Sequence, residues 1–414
     1  MGEDIKLAMN GGEKAVPELP GRFHFGKEEK AAIDALFDNA IKTGNAPGYN
    51  GPEEEAFCRE FAEFMGAKFA DGTNGGTNSV YVALKALNLP PFSEVIVGAV
   101  TDPGGMMPIV INNCIPVPAD TVPGSFNTGA KEIEMRITER TSAIVVAHIG
   151  GEPADMPAIM KVAEKYKLPV LEDCAQSHMA RINGKNVGTF GRYGAFSLMF
   201  GKHMCTGGQG GAVICNNEDD YWKERRAADR GKPFGLPAGS TNPIPALSCN
   251  MDEFHAAVGR VQLKKLPDIV ARRKAVVASL AAKFIGNSKA VTIPVIKEGF
   301  EHCYWWWRLK FNAEAMNCTK NEFCAALIAE GLGINPNYTA ALPASMDWYR
   351  GRANCHPWNN PLYKGEAHKK EYPTPNCDQA MKEHFILSVS ESFGEKETDM
   401  VVKAFRKVEA YYSK

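Results

Sequence analysis

Between residues 68 and 228, short runs rich in β-branched and small apolar residues alternate with stretches whose apolar side chains recur at helical spacing. The strand-like runs are 94–100 (Glu-Val-Ile-Val-Gly-Ala-Val), 115–118, 143–148, 168–172, 194–199 and 211–215, and helical patterns fall between several of them, notably at 155–166 and 218–228. Strands separated by helices pair in parallel, with the helices covering both faces of the sheet. The expected fold class is therefore α/β, with a mainly parallel sheet. Ligands in such sheets sit at the carboxyl ends of the strands.

The flanking segments frame this sheet. Residues 1–25 are polar and rich in Gly and Pro, and read as an N-terminal arm with little core of its own. Helices are expected at 27–42, where Ile33, Leu36, Phe37, Ala40 and Ile41 recur at helical spacing, and at 53–65, which buries Phe57, Phe61 and Phe64. Downstream, 251–264 and 266–284 read as helices. After Gly286 the chain changes character: a β-like 290–296, the aromatic run Tyr304-Trp-Trp-Trp-Arg308, a helix at 319–330, a Pro- and Trp-containing loop region around 336–376, and a closing helix at 395–412. The expected division is an arm at 1–25, a large domain at 26–286 and a smaller domain at 287–414.

Composition removes several classes of function. With 47 Lys and Arg against 48 Asp and Glu, the chain lacks the basic balance that nucleic acid or an anionic membrane requires. Its 11 cysteines are odd in number, scattered, and never spaced Cys-x-x-Cys, which argues against a disulfide framework and a zinc site and fits a reducing cytoplasm. His178, His203 and His255 lack ligand spacing, so no metal is expected. The N-terminus has no apolar core for a signal peptide, and no apolar run approaches membrane-spanning length.

Three stretches carry chemistry. The first is Phe196-Ser-Leu-Met-Phe-Gly-Lys-His-Met-Cys-Thr-Gly-Gly-Gln-Gly-Gly211, which sets Lys202 between an apolar strand and a glycine-rich turn. A partly desolvated ammonium favours its neutral, nucleophilic form and can bond covalently to an aldehyde, here pyridoxal phosphate (PLP). A surface lysine before a flexible turn reads the same way. In the second, Leu171-Glu-Asp-Cys-Ala-Gln-Ser-His178, Asp173 at a strand end can pair with a protonated ring nitrogen, or else cap the next helix. In the third, Gly76, Thr77 and Asn78 open a helix whose free N–H groups suit a phosphate, though an ordinary capped helix has the same form.

Taken in order, Gly76-Thr77-Asn-Ser-Val-Tyr-Val-Ala-Leu84, His148-Ile-Gly-Gly-Glu-Pro-Ala-Asp155, Glu172-Asp173-Cys-Ala-Gln176, Val187-Gly-Thr-Phe-Gly191, Phe196-Ser197, Lys202 with its glycines, and Asn250-Met-Asp-Glu-Phe-His-Ala-Ala-Val-Gly259 resemble the DegT/DnrJ/StrS family of sugar aminotransferases. The resemblance runs from about residue 20 to about 410. It implies a type I PLP fold: a mainly parallel seven-stranded sheet, a smaller α+β C-terminal domain, and a homodimer with active sites at the interface. On that likeness Lys202 would hold PLP and shuttle the proton, Asp173 would hold the ring nitrogen, and Gln176 the ring hydroxyl. Gly76, Thr77, Asn78 and Ser197 would bind the phosphate, with Asn250 reaching it from the partner subunit. The implied reaction takes an amino group from glutamate or glutamine to a keto sugar, nucleotide-linked, or a keto-cyclitol, by a ping-pong mechanism.

The chain also departs from that pattern. Where most of the family stacks an aromatic residue on the ring, it has Thr101-Asp102-Pro103-Gly-Gly-Met-Met; Ser248 and Asn250 stand where the family has Asn-x-Arg; Met179 replaces a common Gly. Two other readings keep the fold: a sugar dehydratase, whose relatives carry histidine in place of Lys202, and a sensor or regulator without catalysis.

Overall fold

In the computed structural model, which describes residues 5–351, 356–367 and 370–414, the alternating segments form one seven-stranded sheet. Its strands are β1 (Phe69–Thr73), β2 (Glu94–Gly98), β3 (Ile115–Ala119), β4 (Thr141–Ala147), β5 (Val170–Asp173), β6 (Tyr193–Ser197) and β7 (Gly211–Cys215). The spatial order is β1-β7-β6-β5-β4-β2-β3. Pairing is parallel from β3 across to β6, and β7 runs antiparallel to both β6 and β1. Every residue of β2, β3, β5, β6 and β7 is buried, as strands covered on both faces require.

Alternate side chains on these strands enter different layers. Ile96, Ile144, Val146, Phe196 and Ile214 pack with Phe57 and Phe61 of α2 (Pro52–Met65) and Leu266 and Val270 of the long helix that follows the sheet. Val95, Val97, Val145, Leu171 and Val213 pack the opposite way, against Val80 and Leu84 of α3 (Gly76–Leu87) and Met106 and Ile109 of α4 (Pro103–Ile111). Truncating one of the fully buried rings, Phe57 or Phe196, would remove about 3–5 kcal/mol of stability.

The segments expected as two helices at 251–264 and 266–284 are one helix, Glu253–Lys283, which runs through Pro267. Proline deletes one helical donor, but Leu266, Ile269 and Val270 beside it are buried and hold the axis. The helix at Lys27–Thr43 forms as expected, yet its apolar stripe faces outward, with Phe37 53% and Ile41 80% exposed.

After Asn287 a second sheet of four antiparallel strands takes the order β8 (Val291–Thr292), β9 (Trp307–Phe311), β11 (His384–Leu387), β10 (Ile334–Asn335). The β-like run 290–296 pairs only over Val291–Thr292, since Pro294 has no donor for a ladder. Leu7, Ala15 and Val16 are buried in this second core, and the Glu330 carboxylate accepts from the backbone of Ala8 and Ala15 at 2.8 and 2.9 Å. In the loop region, Tyr349, Trp358 and Tyr363 pack on the α3–α4 side of the large sheet. All ten described cysteines are free; Cys355 and residues 1–4 of the arm lie outside the described residues. Among the described residues no helix is long and apolar enough to cross a membrane.

Candidate active site

Strand β5 ends on two adjacent acids, and the two-residue period of a strand sends them to opposite sides. Glu172, 0% exposed, accepts from His148 Nε2 at 3.0 Å and from the backbone N–H groups of Gly188, Phe190 and Gly191 at 2.7–2.8 Å. His148 Nδ1 in turn accepts from Ala154 N at 3.0 Å, which assigns the ring proton to Nε2. Asp173, 6% exposed, takes one hydrogen bond, from Ala175 N at 3.0 Å, and otherwise faces a cavity. Burial pushes its carboxyl above the usual range, partly opposed by Ala175 N–H and by Lys202.

Lys202 lies in the turn after β6 and lines the same cavity as Asp173. It is 7% exposed, and burial lowers its pKa to about 8 against the opposing pull of Asp173 and Asp102. Roughly a tenth of the amine is thus neutral at pH 7, against far less for an ordinary lysine, and the neutral amine is the form that attacks a carbonyl. Its Nζ sits 3.8 Å from the centroid of the Trp305 ring. Trp305 is pinned by two donors, its N–H to Gly150 O at 2.9 Å and its Nε1 to Gly201 O at 3.0 Å.

Helix α3 begins at the cavity wall. Its first hydrogen bond is Ser79 N to Gly75 O at 2.9 Å, so the N–H groups of Gly76, Thr77 and Asn78 precede the helical ladder. A Cβ on Gly76 would stand 2.5 Å from Ser197 Cβ, so only glycine lets the helix end approach β6 this closely. Gly76, Thr77 and Ser197 all line the cavity. Helix α4 also opens there, with Asp102 at its N-cap accepting from Gly104 N at 2.8 Å.

Gln176 lines the cavity as well; its Oε1 accepts from Gly150 N at 2.7 Å and its Nε2 donates to Tyr338 Oη at 3.1 Å. Burial pushes the Tyr338 hydroxyl up to about 12, so it stays protonated. Gly150 and Gly151 adopt left-handed φ of 69° and 94°, and a Cβ on Gly150 would meet the Trp306 ring at 2.4 Å. Met179, where the family resemblance expects glycine, takes φ 64°.

Of the residues read from the sequence, Gly76, Thr77, Asp173, Gln176, Ser197 and Lys202 converge on one cavity of about 160 Å³. Asn78 and Asn250 do not line it. The Asn78 side chain donates to Asn74 Oδ1 at 2.6 Å, and Asn250 bridges Thr73 and accepts from Ser248 Oγ at 3.0 Å. The cations of Arg230-Gly-Lys-Pro-Phe-Gly235 bond Tyr49 Oη, at 2.9 Å each, and pair with Asp229. Grooves of about 520 and 680 Å³ open elsewhere, but neither contains a buried lysine. Trp305 and Tyr338 complete the site from the C-terminal part of the chain; their aromatic character was visible in the sequence, their position was not.

A model of the DegT/DnrJ/EryC1/StrS aminotransferase family matches residues 27–406, nearly the whole chain. The chain belongs to this family. As a family member it is 31% identical over 280 residues, 68% of this chain and 74% of the other, to GDP-perosamine synthase of Caulobacter vibrioides. It is 30% identical over 396 residues, 91% of this chain and 92% of the other, to L-glutamine:2-deoxy-scyllo-inosose aminotransferase of Micromonospora echinospora. The fold superposes on the aminotransferase from Psychrobacter cryohalolentis with a TM-score of 0.81 at 25% identity, covering 95% of this chain and 99% of that one. The aminotransferase fold thus places the Lys202 cavity at the carboxyl ends of β4, β5 and β6, where a doubly covered sheet binds its ligand.

Proposed function

We propose that this aminotransferase uses PLP to move an amino group from glutamate or glutamine to a keto group on a nucleotide-linked sugar or on a keto-cyclitol. The observation that carries the reading is the convergence of a buried, partly neutral lysine, a buried carboxylate and a helix N-terminus on one cavity. Amino-group transfer needs a carbonyl that can hold the amine between donor and acceptor, and no protein side chain is one. PLP would supply that carbonyl together with a ring that withdraws electrons from the substrate carbon. The donor set suits it: Lys202 for the aldehyde carbon, the α3 N-terminus with Thr77 and Ser197 for the phosphate, Asp173 for the ring nitrogen and Gln176 for the ring hydroxyl.

Each side chain then has a definite task. Asp173 would keep a proton on the ring nitrogen, its carboxylate stabilised by the cation it would face. Lys202 Nζ, when freed, would accept the proton from the donor α-carbon and pass it to the cofactor carbon that receives the amine. Trp305 covers the amine, and Tyr338 holds the Gln176 amide. Donor and acceptor use the same cavity in turn, so the kinetics are ping-pong. The acceptor class is supported by the likeness to enzymes named for a GDP-linked sugar product and for a keto-cyclitol.

In this reading residues 26–286 form the cofactor domain and 287–414 the smaller one. The outward stripe of Phe37 and Ile41, with Phe23 at 83% exposure, is the surface we assign to a homodimer contact. Asn250 would reach the phosphate from the partner subunit, and Asn78 would approach it through its backbone N–H from the same α3 N-terminus as Gly76 and Thr77. The ten described cysteines, all free, suit a reducing, cytoplasmic setting.

The test is the visible spectrum of the full chain with added PLP, wild type beside Lys202→Ala, before and after glutamine or glutamate. The expected result is a band at about 410–430 nm that requires Lys202 and moves to shorter wavelength with the donor. A spectrum identical in the two proteins would overturn the proposal in favour of a non-catalytic relative.

A further inference from the structure

Behind the cavity, segments far apart in the sequence meet on one carboxylate. Glu391 is 6% exposed; its Oε1 accepts from Arg22 Nε at 2.9 Å and its Oε2 from Arg273 Nε at 2.8 Å. Arg22 passes the grip forward: Nη1 donates to the Lys202 carbonyl at 2.8 Å and Nη2 to the His203 carbonyl at 3.4 Å. Arg273 does the same on the other side, with Nη1 donating to the carbonyls of Tyr304 and Trp305 at 2.8 and 3.0 Å. One carboxylate therefore holds, through two guanidinium groups, the main chain on both sides of the contact between Lys202 Nζ and the Trp305 ring.

The backbone at that contact is strained. Tyr304 adopts φ 52°, a left-handed conformation that a bulky residue rarely takes and that persists only where surroundings over-determine it. Arg273 on its carbonyl is one such constraint. Planar guanidinium forks with both ends hydrogen-bonded fix geometry more tightly than a lysine at the same place would.

We propose that Glu391, acting through Arg22 and Arg273, is a positioning residue that sets where the Lys202 amine stands against the Trp305 ring and thereby how readily it gives up its proton. What the proton is for rests on the function proposed above; the geometry does not. An amine held away from water is pushed towards its neutral form, and loosening the main chain lets it swing into solvent and regain its proton. Asp173 and Asp102 face the amine, and His178 lies near it. Arg22, Arg273, His24, His203 and Glu391 surround its main chain. Burial holds His178 and His24 at about 3 and about 4 and His203 well below its ordinary value, so none titrates where Lys202 does.

The test is competitive acetylation of Lys202 in the cofactor-free full chain across pH, read by peptide mass spectrometry, for wild type, Glu391→Gln, Arg22→Lys and, as control, Lys283→Ala. Glu391→Gln removes the shared charge, while Arg22→Lys keeps the charge and breaks only the fork. Both are expected to raise the labelling midpoint by about half a pH unit or more, a threefold loss of neutral amine at fixed pH. Lys283→Ala, whose side chain pairs with Asp399 outside the network, leaves the midpoint where it was. Melting temperature accompanies each variant; should Glu391→Gln fail to fold, Arg22→Lys decides. An unmoved midpoint in folded Arg22→Lys overturns the proposal. A moved midpoint in a protein without a Lys202-dependent PLP band leaves the clamp standing and removes the proposed function; the reverse pair of results does the opposite.

Discussion

The two acids at the end of β5 are neighbours in sequence and opposites in environment. Glu172 is enclosed by an imidazole and three backbone N–H groups, and its lone pairs are satisfied within the fold. Asp173 has one such partner and a cavity in front of it. Both are buried, so burial does not distinguish them; the state of their hydrogen bonding does. A saturated buried carboxylate holds structure together, here the end of β5 and the 188–191 turn. An under-satisfied one is left to bind something from outside.

Exchanging one atom in each acid tests that contrast. Asp173→Asn is expected to lower transamination by about 10²–10³-fold, because a stabilising charge leaves the reacting centre. Its fold should not weaken. Burial raises the Asp173 carboxyl, so folding is disfavoured by the charged form at pH 7 and relieved as pH falls through the raised range. The cofactor-free asparagine variant should therefore melt at or above wild type at pH 7, with the difference shrinking on acidification. A large fall in melting temperature would show that Asp173 is structural after all.

Glu172→Gln is expected to do the reverse, costing about 3–5 kcal/mol in denaturant unfolding, since four hydrogen bonds lose their charged acceptor and donors are left facing the amide nitrogen. Activity per folded molecule should stay within about tenfold of wild type. Loss of activity without loss of stability would collapse the distinction between the two acids.

Lys202 belongs with Asp173 in this respect. Its pKa is lowered to about 8, so the folded state carries a penalty below that pH that disappears as pH rises towards the ordinary lysine value. Cofactor-free Lys202→Met should be more stable than wild type at pH 7, by on the order of 3 kcal/mol at most, and the gain should fade above pH about 8 in paired thermal melts. The smallest expected effect is that of Gly76→Ala. Its Cβ must push Ser197 aside, which should lower stability by about 1–3 kcal/mol and weaken PLP retention, measured by dialysis against buffer.

Much of the site was legible because its motifs are local. Gly76 and Thr77 open a helix, Asp173 ends a strand, and Lys202 follows the next strand, so the topology of a parallel sheet brings them to one edge. Two contacts were not legible: Trp305 over Lys202, and Tyr338 on Gln176, are made across 103 and 162 residues respectively. No periodicity encodes such a pairing. Nor did the polar arm advertise that Arg22 would hold the lysine carbonyl, or that Leu7 and Val16 would enter the second core. That 251–264 and 266–284 join into one helix was not legible either, because propensity is a local preference. Packing of Leu266 and Val270 on both sides of Pro267 prevailed.

By itself the sequence determined the α/β class, the order of elements along the chain and the chemical types brought to the sheet's carboxyl edge. Those follow from hydrophobic period and from residues close together in the chain. The tertiary structure decided which acid is sealed and which is open, what covers the lysine, and which distant carboxylate holds it in place. These depend on three-dimensional neighbours, and a buried charge acquires its properties from whichever groups the completed fold sets around it.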